Sequence, residues 1–500
     1  MVSSDVLVIL AIIFAYLIGT LLIGYLAWRR LEKSVGDLFT ASQSLGLVAT
    51  ALGIFGTQVT AFGMMGAPGS SYSLGYSAYG YIVGMAQFMA AAAFFVIGYR
   101  VWLLAEKFGH VTPVHFFGDR FDSYLPRFVI SIAQIIYEIQ YIVIGGIGAG
   151  IIFEVTTDGV VPYWLGALII LFITTWVAYA GGQRGSAWTN IFQGALMLIV
   201  LVPFMYIVYN ALGGGQAILN QLPENMISLG GAAVQDPKIW IPFSLIATGL
   251  SNGVIAHVLV KNMSADSPKT IKRNTYIYPA LIGVLFFMTI SLGVWGSIAI
   301  PGLEGNAVDR ILPALAEQFA PTWMVGLIAA GIFAAIMTSW DGMLLATSSM
   351  FSDDLIKPIA RIRGYELSEE LEGQISHIFI IVIAVLTYIL VLIRPDTILA
   401  VGVFAFTGFA TMVPSYVAAL YWRRTTSWGV VASVVITTPV VVMWAFDILP
   451  AWTTFGFHYS APSLILATVI VIVVSLLTSP PSEERIEETF EVFDRVYQDD

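Results

Sequence analysis

The chain has 500 residues, 58% of them hydrophobic and only 11% charged, with a mean hydropathy of +0.84. That composition excludes a soluble enzyme or nucleic-acid binder and implies a polytopic membrane protein. There is no cysteine, which excludes disulfides, thiol catalysis and thiolate metal sites.

Apolar runs of about 20 residues, long enough to cross ~30 Å of hydrocarbon, recur along the chain. They fall near 5–28, 45–69, 76–105, 127–155, 162–181, 188–212, 239–260, 275–300, 323–350, 375–393, 397–422, 427–449 and 460–478, labelled α1 to α13. The first is not a cleavable signal, because no basic stretch precedes it and its apolar run is too long. Thirteen spans put the termini on opposite sides of the membrane. Of the 22 Lys and Arg residues, all but Lys238, Arg310 and Arg394 fall on the side that holds Arg29, Arg30 and Lys33. By the positive-inside rule that side is cytoplasmic. The expected location is therefore the cell membrane, with the N-terminus outside and the C-terminus inside.

The outer loops 213–238 and 301–322 are long enough for a short helix each, and the inner loop 351–374 is polar and charged. The net charge of −10 is concentrated in 483–500, which holds eight acids and two bases. Its Ile486, Phe490, Phe493 and Tyr497 recur at helical spacing, so a short amphipathic helix is expected in a solvated tail. No nucleotide-binding loop is present. GGIGAG at 145–150 lacks the strand context of a dinucleotide site, and Gly146 and Gly150 read as a close helix-packing face. Transport would be driven by an ion gradient, with no cofactor.

The stretch 53–69, GIFGTQVTAFGMMGAPG, is a poor helix inside α2. Five glycines and Pro68 weaken it, each glycine by about 1 kcal/mol relative to alanine. Thr57, Gln58 and Thr60 place polar groups at membrane depth. Such a segment is either unwound around a binding site or packed tightly through its small residues. TGLSNG at 248–253 in α7 is a second interruption. It lies five spans after the first, which suggests two inverted repeats, α2–α6 and α7–α11. In α9, Thr338 and Ser339 are adjacent hydroxyls, with Asp341 two residues on. They either help an unwound segment to coordinate sodium or bond back to their own helix. Glu138 in α4 is an intramembrane acid, costly and by default functional. It reads as a proton site, a partner for a cationic substrate, or a protonated structural group. Asp341 reads as lying just outside an ion's direct ligands, and His257 as packing or gating.

Several motifs resemble the sodium:solute symporter family, in its order. They are GTQVTAFGMMGAPG (56–69), YAGGQRGSAWTNIFQG (179–194), AHVLVKNMSADSPKTIKR (256–273), IMTSWDGMLLATSS (336–349) and YWRRTTSWG (421–429). The first is similar to the broken helix of the sodium/proline branch, and the sodium/pantothenate branch is similar too. The resemblance implies an all-α fold of the leucine-transporter type, with 5+5 helices in inverted repeat. The divisions would be 1–44 for α1 and an inner loop, 45–212 and 239–422 for the repeats, 423–478 for peripheral α12 and α13, and 479–500 for the tail.

The resemblance further implies one sodium ion between α2 and α9. Its ligands would be the carbonyls of Gly56, Val59 and Ala335 and the hydroxyls of Thr338 and Ser339. A solute would lie nearby, against Gln58, Thr60, Phe62, Tyr141, Thr248 and Asn252. Glu138, Asn190 and Asp341 would support or couple the two sites. The chain departs from the sodium/proline branch at four positions. Gln58 stands for an aspartate, Thr248 for a tryptophan, Ala256 for a proline, and Asn190 for an aspartate near the inner ion exit. Proline is therefore not the favoured solute, and the ion's release route differs. The implied activity is sodium-coupled import of a small organic solute, a carboxylate or amino-acid-like molecule, and not catalysis. Two rivals are proton coupling through Glu138 or Asp341, and a membrane sensor. The short tail after Ser479 holds no signalling module.

Overall fold

The structure is a computed structural model and describes residues 3–29, 39–393 and 396–496. Arg30, Lys33, Arg394 and Tyr497, used above for topology and for the tail, lie outside the described residues. Eleven helices are long and apolar enough to cross a membrane, and two bent helix pairs bring the number to thirteen among the described residues. The spans are α1 (Ser4–Leu26), α3 (Tyr79–Phe108), α4 (Tyr124–Thr156), α5 (Tyr163–Gln183), α6 (Gly185–Ala211) and α8 (Pro268–Ala299). They continue with α9 (Thr322–Ile362), α10 (Glu369–Ile393), α11 (Ile398–Tyr421), α12 (Ser427–Ala445) and α13 (Ser460–Leu477). The bent pairs are α2a–α2b (Leu47–Gln58 and Phe62–Leu74, 57°) and α7a–α7b (Pro237–Gly253 and Ala256–Met263, 46°).

Local sequence explains the breaks and starts. Val59 leaves the helical region at φ −83, ψ 80, and Thr60 Oγ1 then accepts 3.0 Å from the Phe62 amide, capping α2b. Ser123, Ser267, Thr397 and Thr426 cap α4, α8, α11 and α12 in the same way. Between α5 and α6 the chain turns at Gly182, whose φ of 53 favours glycine. The start of α2a and the end of α7b are tied by a parallel bridge, Leu45 to Ala265, through Leu45 N to Ser264 O (3.0 Å) and Asp266 N to Leu45 O (3.0 Å).

Burial orders the bundle. The apolar windows of α4 and α9 are 83% buried, against 28% for α13. So α4 and α9 form the centre and α13 lies at the periphery, exposed on most sides. Close packing at the centre needs glycine. A Cβ on Gly146 would stand 2.2 Å from Val391 of α10, and one on Gly150 2.4 Å from Tyr163 of α5. Gly145 lies under Trp340 of α9, whose indole donates to Ile142 O at 2.6 Å.

Three expectations are corrected. The inner loop expected at 351–374 is shorter, because α9 continues through a π-helical stretch, Met350–Ile356, to Ile362. Asp353 and Asp354 look like loop residues in sequence, yet both are buried and ion-paired with Arg127. Lys261, assigned to the inner bases, is 1% exposed and points into the bundle. The tail helix, α14 (Glu483–Val496), is not merely solvated. Phe490 and Phe493 are buried under cations, with Arg100 4.2 Å from the Phe493 ring and Arg423 5.1 Å from the Phe490 ring.

Candidate functional site: an ion cluster and a solute cavity at two broken helices

The break in α2 lies against the middle of α9. Thr338 Oγ1 donates to the Gly56 carbonyl at 2.7 Å and to Ala335 O at 3.0 Å. Ser339 Oγ donates to Ala335 O at 3.1 Å and to Ile336 O at 2.9 Å. Thr57 Oγ1 returns a bond to Thr338 O at 3.2 Å. The back-bonding alternative for these hydroxyls is thus realised, and Thr338 reaches across to α2 as well. Gly56 and Ala335 carbonyls and both hydroxyls share one buried spot, a set of oxygens suited to a small hard cation. Val59 stands at the break itself. The approach is close: a Cβ on Gly56 would stand 3.3 Å from Thr338 Cγ2.

A small cavity of about 30 Å³ lies beside this cluster. Gln58, Phe62, Tyr141, Thr248 and Asn252, all expected from sequence, line it. Gln58 Nε2 donates to Asn252 Oδ1, linking the two broken helices across the cavity. Asn252 Nδ2 in turn donates to Thr248 O, and Thr248 Oγ1 to Ser244 O at 3.0 Å. Thr60 is buried at the break, where its Oγ1 accepts from the Phe62 amide, and it does not line the cavity. Sequence reasoning missed Gln87 of α3, Tyr278, Ile282 and Phe286 of α8, and Phe406 of α11. Gln87 had a signal, being a carboxamide in an otherwise apolar span. The lining carries no charged side chain. Three carboxamides, hydroxyls and aromatic rings suit a small solute with neutral hydrogen-bonding groups, or an anion met by amide and phenol donors. Larger grooves on α1, α5 and α10 are lined almost wholly by apolar side chains and offer no convergent polar groups.

The supporting residues fall into two places. Glu138 is fully buried and meets His257 Nδ1 at 2.8 Å with each carboxylate oxygen, and the His257 amide at 3.3 Å. This pair joins α4 to the start of α7b, just inward of Tyr141, whose ring lies 5.7 Å from the His257 ring. Asp341 accepts from Thr189 Oγ1 at 3.4 Å. Asn190, with its amide turned so that both atoms are satisfied, donates to Ser186 O at 3.0 Å and accepts from Lys261 Nζ at 3.3 Å.

Comparison with known proteins matches this arrangement to one group. The sequence profile of the sodium:solute symporter family fits residues 38–437. The sodium/proline symporter of Staphylococcus aureus strain JH9 is 26% identical over 484 residues, covering 94% of this chain and 92% of that protein. The structure of a Na+-coupled sialic acid symporter, in a substrate-bound outward-open state, superposes with a TM-score of 0.81. It covers 95% of this chain and 99% of that one, at 18% identity. That likeness establishes the leucine-transporter type of fold. The chain is a multi-pass membrane protein that belongs to the sodium:solute symporter family.

Proposed function

We propose that the protein imports a small organic solute, a carboxylate or amino-acid-like molecule, together with sodium by alternating access across the cell membrane. One observation carries the reading. Thr338 of α9 bonds the Gly56 carbonyl at the break of α2, two residues from Gln58 in the cavity wall. An ion in that spot would hold α2 against α9 and set the side chain that meets the solute. Coupling then follows from differential binding: the ion stabilises the conformation that binds solute best, and the solute reciprocally tightens the ion.

Uptake by proteoliposomes tests this. An inward sodium gradient should drive accumulation of one member of a solute panel, and a proton gradient in sodium-free buffer should not. Proton-driven uptake without sodium would replace this reading with the proton-coupled one. L-proline should not be the preferred solute, because Gln58, Thr248 and Ala256 depart from the sodium/proline branch. Tyr141→Phe and Gln58→Ala should raise the solute's KM about three- to tenfold, the worth of one net hydrogen bond, and change the sodium requirement less. A sodium defect with unchanged solute KM in both would place the solute elsewhere.

Orientation has its own test. Because α9 reaches Ile362 and α10 starts at Glu369, the short link 363–368 should resist protease added outside intact cells, as should α14. Cleavage at either from outside would invert the proposed topology.

A further inference from the structure

Among the described residues Lys261 is the only fully buried lysine. It rises from α7b past Gly53 of α2a, where an added Cβ would stand 3.8 Å from Lys261 Cδ. Its Nζ donates to Ser186 Oγ at 2.5 Å, and the Asn190 carboxamide oxygen lies 3.3 Å away. Thr189, between Ser186 and Asn190 on α6, donates to Asp341 Oδ2 at 3.4 Å, so this one turn of α6 meets Lys261 on one side and the Asp341 carboxylate on the other. Asp341 Oδ1 is buried and without a hydrogen-bond partner. Asp341 lies three residues after Thr338 on α9, on the same helix face, so this chamber and the ion cluster share a wall.

The chamber's chemistry is that of a cation site: one carboxylate, two hydroxyls and a carboxamide oxygen, all buried. Oxygen sets of this kind take hard cations. A buried carboxylate left alone is costly, and here a covalently attached ammonium supplies the opposite charge. We propose that Lys261 is a tethered cation that takes the place of a second sodium ion beside Asp341 and so limits the protein to one. The inference rests on the sodium reading above. The Lys261 charge stays with the protein through every cycle, so it contributes nothing to the ion gradient's work. The coupling ratio is set by the single exchangeable ion at Thr338 and Ser339.

Radiolabelled sodium binding to purified protein, without solute, tests the tether directly. Wild type should bind about one sodium per chain, with a Hill coefficient near one. Lys261→Ala and Lys261→Gln should bind about two, since the freed carboxylate and its oxygens then admit an ion. Lys261→Arg, which keeps the charge, should stay at one. Adding Asp341→Asn to Lys261→Gln should return it to one. Monodispersity and thermal melting in detergent show which variants are folded. Two ions bound by the wild type would overturn the proposal whether or not any variant folds. So would folded Lys261→Ala or Lys261→Gln protein that still binds one. A wild type that binds no sodium at all would instead sink the sodium reading on which the tether rests.

Discussion

Thr338→Val should raise the sodium concentration needed for half-maximal uptake by about ten- to a hundredfold, with Ser339→Ala close behind. The argument starts from the geometry. Thr338 Oγ1 is the atom that crosses from α9 to the Gly56 carbonyl, and Ser339 Oγ shares Ala335 O with it. Valine keeps the threonine shape and removes only the oxygen. In a packed, water-poor site the missing ligand is not replaced, and an unmet polar demand costs ~1–3 kcal/mol, where ~1.4 kcal/mol is a factor of ten. Thr338→Ser keeps the oxygen and should be mild. At saturating sodium the solute KM should return toward wild type in both severe variants, because neither hydroxyl lines the cavity. Unchanged sodium dependence in Thr338→Val and Ser339→Ala together would remove α9 from the ion site and bring the proton-coupled reading forward.

Much of this site was legible because its signals are local. A span is visible as a run of apolar residues. A break is visible where Gly, Pro and hydroxyl residues interrupt the run, as at 53–69 and 248–253. Those two interruptions and the adjacent hydroxyls of α9 marked the segments, and the resemblance to the sodium:solute symporter family singled out Gly56, Gln58, Thr248 and Asn252 within them. What was illegible depends on partners far away in the chain. Asp353 and Asp354 have the composition of a loop, and the partners that hold them buried in a helix, above all Arg127, lie more than 220 residues earlier. Lys261 scored as an inner base by type, and nothing nearby in sequence announces the carboxylate on α9. Tyr278, Phe286 and Phe406 line the cavity but look like any aromatic in an apolar span. Glu138 was visible as an anomaly, while its partner, His257, lies 119 residues on.

The middle of α9 carries the oxygen cluster at Thr338 and Ser339, and its C-terminal end carries the densest charge network among the described residues. The Arg127 guanidinium binds both Asp353 and Asp354 and reaches the Asp353 carbonyl at 2.9 Å. His115 lies 2.9 Å and Lys357 3.0 Å from Asp353, and Lys357 continues to Glu372 of α10 at 2.8 Å. Thr112 and Ser131 complete Asp354 at 2.9 and 3.1 Å. The network thus fastens the start of α4, the end of α9 and the start of α10 together. A carrier that alternates must loosen some contact of this kind when it opens at one end.

Arg127→Met should therefore be the most damaging single change in this network. It removes the one cation that meets both carboxylates and leaves two like charges adjacent and almost fully buried, Asp353 at 1% and Asp354 at 0% exposure. Removing one partner of a buried ion pair costs about 3–5 kcal/mol. Detergent unfolding of such proteins is commonly irreversible, so the effect is best read as a shortened half-life at a fixed temperature. Asp354→Asn placed on Arg127→Met should restore part of the loss, because Asp353 keeps Lys357 and the substitution removes the carboxylate charge left without a cation while keeping bonds to Thr112 and Ser131. The double-mutant cycle then gives the coupling itself. Since the chain has no cysteine, Tyr124→Cys can serve as a single label in the small pocket formed by His115, Arg127, Asp353 and Lys357. Its alkylation should quicken when Arg127→Met is added. A variant that kept the wild-type half-life and labelling rate would show that the start of α4 and the end of α9 are held by apolar packing, and that the charge network is incidental to closing them.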